Sequence, residues 1–162
     1  MGILINQSKM LEKKILDKYK AINLLERYKS LSDTFNSKEI LEKYDRKQVL
    51  THLKEKNCRF IYNTKEGFFG LKEQEGDYDF IFNISLQYGM VEPIIWGKNV
   101  CTNEQFGGVL VRVTKLMQIS MGVKKIERIR DPRYASYDDL FRIIEQLFSI
   151  YLDFKQVILS DE

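Results

Sequence analysis

The sequence predicts an α+β fold in which a four-stranded antiparallel sheet packs against N-terminal and C-terminal helices. Phe80, Phe82, Ile84, Leu86 and Tyr88 recur at every second position, which places one face of a strand in a core. Apolar residues in the flanking regions recur every three or four positions, as in amphipathic helices. The chain has 162 residues, of which 44% are hydrophobic and 30% charged, and this composition fits one globular domain.

We expect residues 1–162 to form a single domain, helical over 7–56, a sheet over 58–97 and helical again over 109–159. The first helix is predicted over residues 7–31, where apolar side chains follow a helical period. Asn36, with Glu39 three residues later, predicts the start of the next helix, which extends to about residue 56. Asp45 is expected to divide that helix if it acts as a cap, because Asp favours caps over helix interiors.

Four strands are predicted, at residues 58–62, 68–72, 78–88 and 90–97. Their short connections favour an antiparallel meander, and the acidic residues 73–77 form the turn before the third strand. Pro93 cannot donate a hydrogen bond to a neighbouring strand, so the fourth strand is expected to be an edge strand or to be bulged there.

Residues 97–108 are predicted to be a loop, and residues 109–121 fit two structures. Val109, Val111 and Val113 alternate as in a strand, whereas the longer pattern fits a helix. We favour the helix because the alternation ends after Val113. The last helix is predicted over residues 136–159, starting from the capping pair Ser136 and Asp139.

Composition restricts the compartment and the class of protein. No segment approaches the roughly 18 apolar residues of a membrane span, and residues 3–5 are too short a run for a signal peptide. Cys58 and Cys101 are far apart in sequence, as expected for reduced thiols. We therefore expect a cytoplasmic protein that does not bind a membrane.

Few residues suggest a reaction. His52 is the only histidine and fits the surface or boundary of a helix, although a dyad with Cys58 is an alternative. Gly107 and Gly108 could present an anion site at a helix start, but a flexible loop exit is the simpler interpretation. The sequence therefore predicts a protein that is not an enzyme and that has no cofactor or metal.

Four acidic residues, Glu73, Glu75, Asp77 and Asp79, lie within seven positions of the chain. The simplest interpretation is a solvated hairpin tip. A second is an acidic edge that meets a basic protein partner, where carboxylates guide association and specificity. A hard-cation site is a third, although the EF-hand spacing is absent.

Two further features are candidates for binding. Trp96 lies near the predicted end of a strand, where it either anchors the core or contributes to recognition. A basic segment could contact phosphate, with Tyr134 and Tyr137 nearby to stack on bases, although a solvated connector is the simpler interpretation. Its cations are Lys124, Lys125, Arg128, Arg130 and Arg133.

The order of elements also resembles a known family. The resemblance covers residues 78–158 and includes Ile94-Ile95-Trp96-Gly97, the segment 130–140 that enters the last helix, and residues 150–155 within that helix. This pattern resembles the small cytosolic immunity proteins encoded beside bacterial polymorphic or contact-dependent toxins. The resemblance implies a non-enzymatic protein that binds a cognate toxin domain and blocks its active site.

The sequence thus leaves two classes of function open. The first is a protein-binding module, an immunity protein whose partner is a toxin domain such as a nuclease; the oligomeric state is not predicted. The partner site would then include Glu73, Glu75, Asp77, Asp79 and Trp96. The alternative is a nucleic-acid-associated or regulatory protein that uses its basic segments, and a small enzyme ranks third.

Overall fold

The structure, a computed structural model, describes residues 10–160, so positions 7–9 of the predicted first helix lie outside the described residues. Within that range the fold is α+β, as predicted, with five helices and one antiparallel sheet. The helices are α1 (Lys13–Ala21), α2 (Leu24–Thr34), α3 (Arg46–Lys54), α4 (Leu110–Ser120) and α5 (Tyr137–Leu159). The strands are β1 (Ile61–Asn63), β2 (Phe68–Glu75), β3 (Tyr78–Ser85), β4 (Glu92–Asn99) and β5 (Gln105–Val109).

The sheet contains five strands, in the order β1-β2-β3-β4-β5, each antiparallel to its neighbour. The meander is therefore correct and the predicted number of four strands is wrong. Residues 105–108 of β5 lie in the segment predicted as the loop 97–108, and its last residue, Val109, is the first of the predicted helix 109–121. Its two glycines, Gly107 and Gly108, have φ of +81° and +137°, and glycine is a residue type that is depleted in strands. The segment is therefore a strand because it pairs with β4.

The predicted ends of several strands also differ from the structure. β1 begins at Ile61 instead of residue 58, and β3 ends at Ser85 instead of residue 88 because a 3₁₀ turn at Gln87–Gly89 follows it. β2 extends through Glu75, where a five-residue turn is predicted; the connection to β3 is only Gly76 and Asp77.

Pro93 lies in β4, which is paired on both sides and is not an edge strand. The prediction of an edge strand is therefore wrong for β4 as a whole. Pro93 is paired with Ile84 of β3, whereas pairing with β5 begins one residue later, at Ile94. The missing amide proton is tolerated because Pro93 lies just beyond the end of β5.

The predicted first helix, residues 7–31, is two helices in the structure. Asn23 adopts the left-handed conformation, with φ of +53°, and separates α1 from α2. Asn tolerates this conformation better than most residues. The apolar period continues through the break, which is why periodicity alone does not reveal it.

The helix predicted from Asn36 is absent over residues 36–45. Leu41 instead donates its amide proton to Tyr134 O, and Phe35 O accepts the amide proton of Arg133. These contacts hold the segment extended against a distant part of the chain. Helix α3 begins only after Asp45, whose side chain caps it by accepting from the Lys47 amide, so Asp45 is indeed a cap.

The two C-terminal helices agree with prediction. The segment 109–121 is helical over Leu110–Ser120, which is α4, and the last predicted helix is α5. The Ser136 side chain accepts from the Asp139 amide, and Asp139 accepts from the Ala135 amide. This reciprocal capping explains why the start of α5 is readable from the sequence.

One face of the sheet, the core face, packs on the helices. Phe80, Phe82 and Ile84 of β3 are fully buried, and α5 crosses them with Tyr151 stacked on Phe82 and Phe154 edge-on to Phe80. All five helices bury apolar side chains in the same core. The side chains of the opposite face, here called the open face, keep partial or full exposure at every non-glycine position.

Candidate functional site

The hairpin between β2 and β3 separates the four predicted acidic residues onto different faces. Glu75 is paired with Tyr78 across the two-residue turn, so these two side chains lie on the same face of the sheet. Side chains alternate between the faces along each strand, so odd-numbered residues of β2 share a face with even-numbered residues of β3. Glu73 and Glu75 therefore share the core face with Leu71, whereas Asp79, paired with Gln74, lies on the open face. The regular spacing in sequence does not bring the four carboxylates together.

Glu73 and Glu75 are engaged within the chain by α5. Lys155 donates to Glu73 and to Glu75, at 2.9 Å in each case, and the Tyr151 hydroxyl donates to Glu73 at 2.6 Å. We call these four residues the β2–α5 network. The Lys155 side chain is 9% exposed and that of Glu73 26%, so the network lies at the rim of the core.

The electrostatics of the β2–α5 network are those of a structural ion pair. Burial opposes ionisation of Glu73, but the hydrogen bonds from Tyr151 and Lys155 outweigh it and hold the pKa of Glu73 below its ordinary value. Burial likewise opposes protonation of Lys155, yet its bonds to Glu75 and Glu73 raise the pKa of the ammonium. Burial and the Glu73 contact raise the pKa of Tyr151, which keeps its hydroxyl a proton donor.

The acidic tip is therefore reduced to two outward carboxylates. Asp77 is exposed in the turn, and Asp79 is half-buried on the open face, where Lys98 of β4 is paired with it. Lys155 offsets part of the charge of Glu73 and Glu75. Any contact of this tip with a basic partner depends mainly on Asp77 and Asp79.

Trp96 lies on the open face, half-exposed, in the middle of an apolar cluster. Trp96 is paired with Ile81 of the neighbouring strand β3. Ile94 is two residues before Trp96 on the same face of β4, and it is paired with Val109 of β5. Directly paired side chains are about 5 Å apart, so these four residues are contiguous and we call them the Trp96 patch. All four keep intermediate exposure, and the Trp96 indole N–H points to Gln105 Oε1 at 3.4 Å.

The basic segment lies between α4 and α5 without regular secondary structure. Gln118 of α4 anchors this segment through its side-chain amide. The Nε2 donates to the backbone O of Glu127 at 2.9 Å, and the Oε1 accepts from the backbone amide of Glu127 at 2.8 Å. The cations point outward: exposed side chains are Lys124, Lys125, Arg128 and Arg130, and Arg133 is half-buried.

The two tyrosines near the basic segment are used within the fold. Tyr134 is fully buried and donates its hydroxyl proton to Leu86 O. The Tyr137 hydroxyl accepts from the Asp45 amide at 2.7 Å, and its ring packs on Phe141. Neither ring is presented beside the cations as a platform for base stacking.

His52 and Cys58 have separate structural environments. The His52 ring stacks on Phe141 with 4.1 Å between centroids, and its Nε2 lies 3.0 Å from Glu145 Oε1 without hydrogen-bond alignment. Cys58 donates to Lys56 O. Burial, and next the charge of Glu73, raise the pKa of the Cys58 thiol, which keeps it in the less nucleophilic form.

Sequence reasoning identifies Trp96 but misses its neighbours and the β2–α5 network. Ile81, Ile94 and Val109 occupy ordinary strand positions, and only the strand register shows that they meet on one face. Tyr151 and Lys155 lie one helical turn apart, and the hydroxyl of one and the ammonium of the other interrupt the apolar stripe of α5. That interruption is the feature from which a buried polar partner on the sheet could be inferred.

No protein-family model, curated protein or solved structure significantly matches this chain. Among the helices of residues 10–160, none has the length and apolar character needed to cross a membrane. In the same residues, no three side chains of His, Cys, Asp or Glu come together as a metal site.

Proposed function

We propose that this chain is a non-enzymatic protein-binding module, an immunity protein that neutralises a cognate bacterial toxin domain by stoichiometric binding in the cytoplasm. The Trp96 patch is the observation that carries the proposal. It is an apolar cluster on the side of the sheet away from the helices, at a position where antiparallel sheets usually carry polar side chains.

The composition of the patch supports a protein partner. Tryptophan is enriched among the residues that dominate binding energy, because a large, partly exposed ring can be fully desolvated by a partner. Ile81 and Ile94 flank the ring, and Lys72 lies beside Ile81 on β2. An apolar centre with a charged rim is the usual anatomy of such interfaces.

Charged residues near the patch extend it toward the β2–β3 hairpin. Asp79 and Lys98 are paired on the row next to Trp96 and Ile81, and Asp77 follows in the turn. In the proposal these groups form the polar rim, and the two outward carboxylates meet cations of the toxin domain. A basic substrate cleft, such as that of a nuclease, would suit them.

The test is a growth-protection assay with the product of the reading frame adjacent to the gene. The expected result is that this product alone arrests growth, that co-expression of the chain restores growth, and that the two purified proteins form a 1:1 complex. A neighbouring product that is harmless, or that remains toxic and unbound in the presence of the chain, would overturn the proposed function.

Variants then test the surface. Trp96→Ala is expected to weaken the complex by roughly 30-fold, the effect of losing one dominant interface residue, and to reduce protection. Leu152→Ala is the matched control, because Leu152 is also a large apolar residue, 45% exposed, but lies on α5. Equal affinities of the two variants for the partner would exclude the Trp96 patch from the interface.

The acidic tip needs a more restricted variant. Reversing Glu73 or Glu75 would also break the β2–α5 network, so lost binding would not distinguish misfolding from lost contact. Asp77→Lys with Asp79→Lys changes only the outward carboxylates. If the tip meets a basic partner, this double variant slows association at low salt and removes or reverses the slowing that added salt causes in the wild type; unchanged association would remove the tip from the interface.

A further inference from the structure

A second surface runs along α4 and borders the Trp96 patch at Val109. A groove of about 510 Å³ is lined by Val109, Val111, Arg112, Lys115, Leu116 and Ile119. A neighbouring groove of about 530 Å³ shares Val111 and Lys115 and is completed by residues 126–129 of the basic segment. We call the two together the α4 groove.

The α4 groove has an apolar floor and a cationic rim. Val111, Leu116, Ile119 and Ile126 are all half-exposed, and Met121 and Val123, at 42% and 40% exposure, extend the apolar surface beyond the end of α4. An apolar strip of this kind on a helix already packed on its other side is a typical site for an additional partner.

The rim is cationic, and its side chains form no salt bridge within the described residues. The groove is lined by Arg112, Lys115 and Arg128, and the basic segment beside it exposes Lys124, Lys125 and Arg130. Across residues 10–160 none of the six has a carboxylate within 4.0 Å. The carboxylate at the groove, Glu127, is paired with Lys29 of α2. The groove therefore attracts negative charge.

We propose that the α4 groove binds an acidic amphipathic helix of a protein partner. The apolar floor receives the hydrophobic face of that helix, and its carboxylates pair with the rim, as in other helix-in-groove complexes. The α4 helix has 11 residues and is about 16 Å long, enough to contact three turns of a bound helix. The site does not depend on the proposed toxin.

The chemistry favours a protein helix over nucleic acid. Single-stranded nucleic acid is bound by aromatic platforms combined with cations, and the residues that line the groove are aliphatic. Tyr134 and Tyr137, the aromatic rings that follow the basic segment, are held by Leu86 and Asp45, and Phe106, three residues before Val109, is buried. Aliphatic side chains instead suit the leucines of an amphipathic helix.

The experiment measures fluorescence anisotropy of labelled peptides of the length of α4 against the full chain. One peptide has leucines on one face and glutamates on the other; its isomer has the same composition with the leucines spread around the helix. The amphipathic peptide is expected to bind at least about tenfold more tightly than its isomer. Equal binding of the two would overturn the proposal.

Two variants locate the site. Arg112→Glu with Lys115→Glu is expected to reduce the affinity for the amphipathic peptide at least about tenfold. The control, Lys47→Glu with Lys54→Glu, reverses exposed charges on α3 and leaves that affinity unchanged. Leu116→Gln is expected to reduce the affinity for the amphipathic peptide but not for its isomer. Peptide binding that survives Leu116→Gln, or that responds equally to both charge reversals, is non-specific and contradicts the proposal.

Other occupants give distinct results. A single-stranded oligonucleotide that binds more tightly than the amphipathic peptide, and that loses affinity with Arg112→Glu and Lys115→Glu, would identify a nucleic-acid site instead. A wild-type dimer in sedimentation that these substitutions dissociate would identify a contact between copies of the chain. Either result would replace the acidic helix as the occupant.

Discussion

The β2–α5 network is predicted to be a coupled stabilising unit, and Lys155→Met tests it most sharply. Methionine keeps most of the apolar stem but removes the ammonium, which leaves the carboxylate of Glu73, 26% exposed, with only Tyr151 as a partner. A partly buried charge that loses its cation is costly, because desolvation is no longer compensated.

The magnitude follows from the exposure of the two partners. The bond to Glu73 is charge-assisted and shielded, worth about 2 kcal/mol. The Glu75 side chain is 44% exposed, so solvent screening reduces that pair to about 0.5 kcal/mol. We therefore expect Lys155→Met to lower the free energy of unfolding by about 2.5 kcal/mol and Glu73→Gln by about 1.5 kcal/mol.

The assay is a double-mutant cycle by urea unfolding, followed by circular dichroism. The double variant is expected to lose about 2.5 kcal/mol, less than the sum of the single losses, which gives a coupling of about 1.5 kcal/mol. Gln156→Met, an exposed position on the same helix, is the control and should change stability little. Single losses that add within about 0.5 kcal/mol would refute the reasoning.

The same network predicts a pH dependence in acid. The pKa of Glu73 is lower in the folded chain than its ordinary value of 4.5, so its contribution is present above that value. It is lost as the pH falls from 4.5 through the folded pKa. Lys155→Met should flatten this acid loss; an identical slope in both proteins would contradict the assignment.

Two further predictions concern the sheet and the buried tyrosines. Gly107→Ala should destabilise by at least about 2 kcal/mol, because its Cβ would lie 2.0 Å from Ile95 O at φ of +81°. Gly76→Ala, with φ of +57° and nothing within 4 Å, should cost only about 1 kcal/mol; equal losses in thermal unfolding would contradict the packing at β5. Burial raises the pKa of Tyr19 and of Tyr134 to about 12, so their contribution is present below pH 10 and is lost as the pH rises toward 12. Melting temperatures that stay constant over that interval would contradict their burial.

Features with a local cause were predictable from the sequence. The alternation in β3 and the stripe and cap of α5 each depend on neighbours within a few residues. Asp45 is a cap for the same reason, because its side chain reaches its own helix start. These local rules are enough to give the α+β class and the antiparallel meander.

Features with a distant cause were not predictable. β5 exists because β4 pairs with it, although Gly107 and Gly108 disfavour a strand. The extended segment at residues 36–45 is fixed by the backbone of Arg133 and Tyr134, about a hundred positions away. A pattern of helical period in that segment does not outweigh those contacts.

The candidate site shows the same division. The acidic residues 73–79 look like one cluster in sequence, but the length of the turn decides which face each occupies. A five-residue turn is consistent with a common tip, whereas the two-residue turn sends Glu73 and Glu75 to the core face. Trp96 was identifiable by residue type alone, and its partners Ile81, Ile94 and Val109 required the register.

The central claim is that the Trp96 patch is the surface that contacts the toxin domain. Trp96 is the only tryptophan in the chain, so incorporation of 5-fluorotryptophan gives one fluorine resonance, in the middle of the patch. Titration with the unlabelled product of the adjacent reading frame should shift or broaden that resonance until the two proteins are equimolar. A complex that forms by calorimetry while the resonance stays unchanged would contradict the claim.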